Sequence, residues 1–385
     1  MKANDAKLTP FFQNYVAVRI AMHRIFRIGF KNMKKITLVM AGILIIATII
    51  FVIQPAPIDP ESYTPAEAPK LMGELEPNSL LQKAELLAVG KIHGPEEVAV
   101  DSRGRIYTGT RDGKIMRLWP DGKLEIFTET KGRPLGIQLD KNENLIVCDS
   151  YEGLLSIDPK GNIKVLASSA EGVPFKFTNA LDISSDGTIY FTDASFKYGQ
   201  NEYLYDILES KPHGRFMAYH PASGKTEVIL KNLYFANGVA LSQNEDFVLI
   251  NETSRYRIVR YWLKGSRAGT HEIFIDNLPG FPDNISGNGK GTFWLALFTV
   301  RNKAADTLHR FPFLKAQLTK LPKIFWPKPK PYGLVLALDE HGKIIRSLHD
   351  DTGEHLKEIT SAREYEGFLY LGSLNSDRIG KYKLP

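Results

Sequence analysis

The amino-acid sequence predicts an all-β fold, a six-bladed β-propeller preceded by a single N-terminal transmembrane helix. Five copies of one pattern support the propeller, and they begin GPEEVAVD, RPLGIQLD, FTNALDIS, FANGVALS and FPDNISGN. Each copy is followed by a short turn and another strand. A repeat of about 40–50 residues made of strands and Gly/Asp/Asn turns is typical of propeller blades. An uncharged run of 18 residues near the N-terminus supports the helix.

The first 35 residues are predicted to form a basic cytoplasmic tail. They contain eight Lys or Arg residues and one acid, a charge of +7, while the whole chain carries +6. The rest of the chain is therefore close to neutral. It gives no support for nucleic-acid binding by the folded domain.

Residues 36–53 are predicted to form a transmembrane signal-anchor. At ~1.5 Å per residue this run spans ~27 Å, close to the thickness of the hydrocarbon core. Basic residues precede the run and acids follow it, so the positive-inside rule places the N-terminus in the cytoplasm. The propeller is then expected on the extracytoplasmic side, in a periplasm, a lumen or the extracellular space. A cleaved signal peptide that starts at Met33 is the alternative.

The remaining chain divides into a linker and the propeller. Residues 54–79 hold six prolines and are predicted to form an extended stalk outside the folded domain. Residues 80–385 are predicted to form the propeller, with a sixth copy of the repeat near residues 361–374. The segment 83–90 precedes the first repeat, and we expect it to supply the outer strand of blade six and close the ring.

Two insertions interrupt the repeats. Residues 198–214 are expected to form a short helix near the mouth of the channel. Residues 301–331 contain eight Lys or Arg residues and one acid, interleaved with aromatic residues and with leucines at helical spacing. Two interpretations of this second insertion stay open: a cap packed over blade five, or a lid that also contacts anionic lipid headgroups. Charge reversal of Lys315, Lys320 and Lys323 would separate them.

Five residues with oxygen-bearing side chains occur where successive repeats begin their first strand: Glu96, Asn179, Asn237, Asp283 and Asn284. Equivalent positions in a propeller lie on a ring around the central channel, so these side chains are expected to converge. Carboxylate and amide oxygens without His or Cys favour a hard cation such as Ca²⁺ over zinc or copper. One calcium ion held by all five residues is predicted. Cys148 is expected to be a packed core thiol.

The segments that carry a family resemblance are GPE, GRPLGIQLD, VPFKFTNALDIS, LYFANGVALS, YRIVRYWLKG and LPGFPDNI. They resemble the strictosidine synthase-like and paraoxonase-type calcium-dependent propeller hydrolases over about residues 80–385. This resemblance implies a six-bladed propeller, a calcium ion at the channel mouth, and hydrolysis of lactones or aryl esters. It also implies that the five residues named above are the calcium ligands.

The chain departs from these families at three places. The histidine pair that paraoxonases use as general base aligns with Leu135 and Ser150. Their second, structural calcium requires an Asp where this chain has Ala180, so a single ion is expected. The catalytic Glu of strictosidine synthase aligns with Thr360 or Ser361, which argues against condensation of an amine with an aldehyde.

The predicted function is hydrolysis of a small-molecule ester or lactone by a membrane-anchored, calcium-dependent enzyme of the arylesterase or lactonase type. Asp283 and Glu96 are the candidate catalytic residues. Asp283 is the preferred general base, and a nucleophilic Asp283 is the variant. The alternative is a non-catalytic binding propeller in which calcium is a structural pin. Condensation of the strictosidine synthase type is a more distant alternative.

Overall fold

The structure, a computed structural model, describes residues 10–385. They form two compact units, one that ends at Ala56 and one over Pro57–Pro385. The first unit is a single helix, α1 (Pro10–Ile53). Its segment Met33–Ile53 is long and apolar enough to cross a membrane, with a mean hydropathy of 3.0, and none of it is buried. The predicted span lies inside this segment, and the first nine residues of the predicted tail lie outside the described residues.

The second unit is a six-bladed β-propeller, which confirms the predicted fold. Each of its blades is a four-stranded antiparallel sheet, and the first repeat strand of each blade lies innermost, against the inner strands of the two neighbouring blades. Blade one contains Val98–Val100, Ile106–Gly109, Lys114–Leu118 and Leu124–Glu129; blade two contains Pro134–Leu139, Leu145–Asp149, Gly153–Ile157 and Ile163–Ala167; blade three contains Thr178–Ile183, Ile189–Asp193, Gly214–His220 and Lys225–Leu233.

The remaining blades complete the ring. Blade four contains Ala236–Leu241, Phe247–Glu252, Arg257–Trp262 and His271–Ile275; blade five contains Gly280–Gly287, Thr292–Val300, Gly333–Asp339 and Ile344–Asp350; blade six contains Ile359–Tyr365, Phe368–Ser373, Ile379–Lys383 and Glu85–Leu87. The outer strand of blade six comes from the opposite end of the chain, with Leu86 paired to Gly380. The predicted closure of the ring by residues 83–90 is confirmed.

The apolar core lies between adjacent blades because each sheet buries both of its faces. Leu249 of blade four packs with Leu295 of blade five, and Cys148 of blade two packs with Phe191 of blade three. Cys148 is fully buried, as expected of a core thiol, and burial raises the pKa of its thiol well above the ordinary value. Aliphatic contacts of this kind hold the inner strands in a fixed ring and so position the channel side chains.

The predicted free stalk is wrong for residues 57–79, which we call the strap. The strap is part of the propeller unit. The backbone N–H of Glu61 donates to Glu209 O at 2.9 Å, and that of Tyr63 donates to His309 O at 2.9 Å. Leu75 is buried in the core between blades four and five. The prolines extend the strap, while its apolar side chains find partners on the blades.

Both insertions form helices, as predicted. Residues 198–214 contain α2 (Tyr203–Glu209), and residues 301–331, which we call the cap, contain α3 (Lys303–Leu308) and α4 (Pro312–Thr319). Helices α2 and α4 are in contact. The described chain also has a two-stranded hairpin and single-turn 3₁₀ helices: Ser169–Ala170 with Val173–Pro174, and Gly73–Leu75, Leu80–Lys83, Gln200–Glu202, Thr253–Arg255, Gly265–Arg267 and Lys323–Phe325.

Candidate metal centre

Each of the five predicted ligand residues lies in the innermost strand of its blade or directly before it. Glu96 precedes the inner strand of blade one by two residues, and the other four lie within the inner strands of blades three, four and five. The regular pairing of these three strands shifts around the ligand positions, between Thr178 and Leu181, Ala236 and Val239, and Pro282 and Ile285. A bulge re-aims a side chain at a strand end. In this protein the shifts in pairing occur at Asn179, Asn237, Asp283 and Asn284, whose polar side chains are buried at the channel.

The structure brings most of the predicted ligands to one cavity. Glu96, Asn179, Asn237 and Asp283 line a cavity of about 210 Å³. All four side chains are buried, and so is Asn284, which follows Asp283 but does not line the cavity. Residues from four blades, separated by up to 188 positions in the sequence, are therefore collected at one end of the channel.

Several buried polar atoms at this end of the cavity have no hydrogen-bond partner: Asn179 Oδ1, Asn237 Oδ1, Asp283 Oδ1, Asn284 Oδ1 and Asn284 Nδ2. An unsatisfied buried polar group costs ~1–3 kcal/mol, so several together indicate a missing partner. Four of the five atoms are oxygens, which are the donors that a hard cation prefers. Within residues 10–385 no three His, Cys, Asp or Glu side chains cluster, so amide oxygens must complete any cation site here. The residues fit calcium.

The two carboxylates of this group are held in an unfavourable state without a cation. Burial raises the pKa of Glu96 to about 7, although Arg133 lies close enough to oppose the effect, with Nη2 3.3 Å from Glu96 Oε2. Burial also raises the pKa of Asp283 well above its ordinary value, and the negative charge of Glu96 raises it further. A divalent cation between them would compensate both charges.

Neighbouring blades hold the backbone of three ligand residues in place. In each case a buried side chain of the preceding blade donates to the ligand residue's carbonyl oxygen: Thr360 Oγ1 to Glu96 O at 2.7 Å, Thr192 Oγ1 to Asn237 O at 2.7 Å, and Asn251 Nδ2 to Asp283 O. Thr360 is one of the two residues that align with the catalytic Glu of strictosidine synthase. In this chain it supports Glu96.

Glycines allow the blades to approach closely beside the ligands. A Cβ atom on Gly238 would lie 2.6 Å from Asp283 O, and one on Gly372 would lie 2.2 Å from Glu96 O. Both distances are shorter than a carbon atom tolerates, so a side chain at either position would displace the ligand-bearing backbone.

Sequence reasoning missed Glu97, which is as buried as its neighbour Glu96. Glu97 Oε2 accepts from the backbone N–H of Ile137 at 3.0 Å, and Glu97 Oε1 accepts from Arg363 Nη2 at 3.0 Å. Its carboxylate is thus satisfied by protein groups and does not line the cavity. The acidic pair in GPEEVAVD was the available signal, but only the structure shows which of the two carboxylates lines the cavity.

Most of the rest of the cavity wall is apolar, and much of it comes from the channel rim and the two insertions. Large apolar lining residues include Phe177, Tyr203, Leu204, Phe235, Phe281 and Trp326. Leu135, at one position of the paraoxonase histidine pair, also lines the cavity, whereas Ser150 does not. The cavity can therefore hold an apolar group with a polar function directed to the carboxylate end.

One histidine of the cap lines this cavity and was also missed. His309 Nδ1 lies 3.1 Å from Ser210 Oγ, and burial together with the charge of Lys315 lowers the pKa of His309 to about 3. This imidazole is neutral at physiological pH and is hydrogen-bonded to the insertion of blade three.

The fold and the site define a six-bladed propeller with a cavity that has polar, buried side chains at the end of the channel. Comparison with known proteins shows the family. A model of strictosidine synthase matches residues 179–266, and one of the strictosidine synthase-like N-terminal region matches residues 73–118. Adipocyte plasma membrane-associated protein of Rattus norvegicus is 38% identical over an alignment of 356 residues, and the alignment covers 86% of this chain and 93% of that protein. The chain belongs to the strictosidine synthase-like family, as the sequence resemblance indicated.

A plant relative and two solved structures extend the comparison. Protein STRICTOSIDINE SYNTHASE-LIKE 3 of Arabidopsis thaliana is 32% identical over 344 residues, 81% of this chain and 88% of that protein. A gluconolactonase from Xanthomonas campestris superposes with a TM-score of 0.60 and 15% identity, covering 86% of this chain and 99% of the other. Regucalcin from Agrobacterium tumefaciens, described as a calcium-binding protein, superposes with a TM-score of 0.54 and 13% identity. The superposition covers 78% of this chain and 91% of the other. These two structures support the fold.

Proposed function

We propose that this protein is a membrane-anchored, calcium-dependent hydrolase of carboxylic esters, of the arylesterase or lactonase type. The observation that carries the proposal is the group of orphaned side-chain oxygens, contributed by three blades, beside the buried Glu96 at one end of an apolar cavity. The gluconolactonase and calcium-binding descriptions of the structural relatives are consistent with it.

Glu96, Asn179, Asn237, Asp283 and Asn284 would hold the ion. When bound, calcium supplies positive charge that polarises an ester carbonyl and stabilises negative charge developing on its oxygen. Asp283 accepts a proton from the attacking water, whose oxygen bonds to the acyl carbon, and returns that proton to the alkoxide as the acyl–oxygen bond breaks. The apolar wall holds the aryl or acyl part of the substrate and limits access of bulk water.

The test is turnover of phenyl acetate and a lactone panel by the full chain, with calcium and with EDTA. We expect hydrolysis in calcium, its loss in EDTA, and a drop of ~10²-fold or more in Asp283→Ala, because a general base contributes at least this much. Asp140→Ala is the matched control: Asp140 accepts hydrogen bonds in a turn after the inner strand of blade two, outside the cavity. Unchanged turnover in Asp283→Ala would exclude the proposed mechanism.

A calcium-pinned binding propeller without catalysis is the second candidate. Leu135 favours it, because a cavity-lining position that is histidine in paraoxonases cannot transfer a proton here. This candidate predicts calcium-dependent melting with no turnover of any ester. Condensation chemistry has less support, since Thr360 Oγ1 donates to Glu96 O and carries no carboxylate.

The membrane topology is part of the proposal. The apolar segment Met33–Ile53 anchors the chain, the basic residues before it keep the N-terminus in the cytoplasm, and the propeller faces the opposite side. Protease added to sealed vesicles should then digest either the propeller or the N-terminal tail, but not both. Digestion of the propeller only from the cytoplasmic side would contradict this orientation.

A further inference from the structure

The cap carries a concentration of exposed apolar side chains. Six of them lie between positions 311 and 325: Phe311, Phe313, Leu314, Leu321, Ile324 and Phe325. Ile324 is 73% exposed and Phe325 is 66% exposed. Elsewhere on the described propeller, large exposed apolar residues occur singly or in alternation along outer strands, such as Ile126 and Val165. Scattered apolar residues are normal on a protein surface, whereas a concentration indicates a binding surface.

On helix α4 a charged side chain is buried and apolar side chains are exposed, which is the reverse of an ordinary surface helix. Lys315 is fully buried, and its Nζ donates to Glu61 O at 2.5 Å and to Ser210 Oγ at 3.0 Å. Phe313 and Leu314 on the same helix point outward and are 59% and 49% exposed. Lys315 thus holds α4 against the strap and the blade-three insertion, while Phe313 and Leu314 remain exposed and available to bind a membrane or a partner. Lys315 is therefore not available to the lipid headgroups that the lid interpretation places against residues 301–331.

Positive charge surrounds these apolar residues. Arg310, Lys323 and Lys328 are exposed within the cap, and Lys323 Nζ donates to Asn201 O at 3.2 Å. The single acid of the cap, Asp306, is neutralised by Arg301 at 2.9 Å. Exposed aromatic and aliphatic groups with a basic fringe match the interface of an anionic bilayer.

We propose that the exposed face of the cap, residues 310–325, docks on the surface of an anionic lipid bilayer. The apolar side chains enter the interface between headgroups and acyl chains, and Arg310 and Lys323 contact the anionic headgroups. Because Trp326 and Lys328 of the same segment line the cavity, this docking would hold one wall of the cavity at the membrane surface. The inference is independent of whether the cavity is catalytic.

The test uses the full chain in lipid nanodiscs with one fluorescent label at a time. Cys148 is fully buried, so a new surface cysteine can be labelled selectively. Ile324→Cys carries an environment-sensitive dye on the cap, and Val165→Cys, 52% exposed on the outer strand of blade two, is the matched control. The readout is quenching by nitroxide-labelled lipids, in discs of phosphatidylcholine alone and in discs that also contain phosphatidylserine.

We expect several-fold greater quenching at position 324 than at position 165 in the anionic discs. We also expect a loss of that difference in neutral discs and in the Arg310→Glu/Lys323→Glu variant, whose changes are exposed and whose folding is checked by melting. Equal quenching at the two positions would overturn the proposal. Quenching at position 324 that is the same in neutral and anionic discs, and insensitive to charge reversal, would overturn it as well.

Discussion

Replacing Glu96 by Gln should stabilise the calcium-free protein and destabilise the calcium-bound protein. In the free protein, burial raises the pKa of Glu96 to about 7, and Glu97 adds to the effect. A buried acid with a raised pKa lowers the free energy of unfolding as the pH rises from the ordinary carboxyl range through 7, so the full penalty is present at about pH 8. For Glu96 this penalty is about 3 kcal/mol.

Gln keeps the shape of Glu96 but removes the charge. It also loses the contact with Arg133 Nη2, 3.3 Å away, so the stabilisation without calcium should be part of the ~3 kcal/mol. With calcium at a hundred times its Kd, the wild-type protein gains ~2.7 kcal/mol from binding, and the variant should lose most of this gain with one carboxylate ligand fewer. The order of the two proteins should therefore reverse on addition of calcium.

The assay is denaturant unfolding of the full chain in detergent at about pH 8, in EDTA and in excess calcium, followed by tryptophan fluorescence. Trp119, Trp262, Trp294 and Trp326 are the four tryptophans of the chain and all lie in the propeller unit, which this signal therefore reports. Glu97→Gln is the matched control, because Glu97 is adjacent and buried but bonded to Arg363 and Ile137; its calcium-induced gain should persist. The reasoning fails if Glu96→Gln loses the same stability in both conditions, or if its calcium-induced gain is intact.

Two further substitutions and one thiol-reactivity measurement test the site and the packing of the propeller. Gly238→Ala should weaken calcium binding by about tenfold or more without a change of charge, because its Cβ would lie 2.6 Å from Asp283 O. Equilibrium dialysis measures the affinity. Gly199→Ala is the control, because a Cβ atom there would lie 3.6 Å from its nearest neighbour, Lys176 O. Burial lowers the pKa of Lys315 from 10.5 to about 8, so between these pH values the unfolded chain binds more protons than the folded one and the free energy of unfolding of the wild-type protein should rise with pH. Lys315→Met should abolish this rise. Parallel plots of the free energy of unfolding against pH for the two proteins would contradict this prediction. The Cys148 thiol should react with a disulfide reagent only after unfolding, because burial raises its pKa and blocks access.

The ring architecture could be predicted because it is periodic in the sequence. The inner strands begin near the predicted repeat starts, and Glu85–Leu87 pairs with blade six as the leftover segment indicated. A strand without a blade of its own has to pair somewhere, and the open edge of the last blade is the available position. The repeats are local sequence patterns, and pairing of the extra N-terminal strand with the last blade is what closes the ring.

The strap and the cap could be predicted only in part. Proline content predicts an extended backbone for residues 57–79, but the same backbone suits a free stalk and a segment laid along a blade. Burial of Leu75 between blades four and five decides the matter, and it depends on tertiary packing. Likewise, a lysine at a helical position is ordinarily taken as exposed, and Lys315 is buried because its Nζ donates to Glu61 O of the strap and to Ser210 Oγ.

The candidate site shows the same limit at single residues. Repeat position predicted that Glu96, Asn179, Asn237 and Asp283 would meet, and they line one cavity. Position could not show that Glu97 is bonded to Arg363, 266 residues away, and lies outside the cavity, while its neighbour Glu96 lines it. The difference arises from which side of the inner strand faces the open channel.

The calcium site can be observed directly in a structure of the protein determined in excess calcium, through the anomalous signal of the ion. We expect one ion at the end of the channel, ~2.3–2.6 Å from oxygens of Glu96, Asn179, Asn237, Asp283 and Asn284. A channel without the ion in excess calcium, or an ion bound elsewhere while these side chains bond to protein groups, would contradict it.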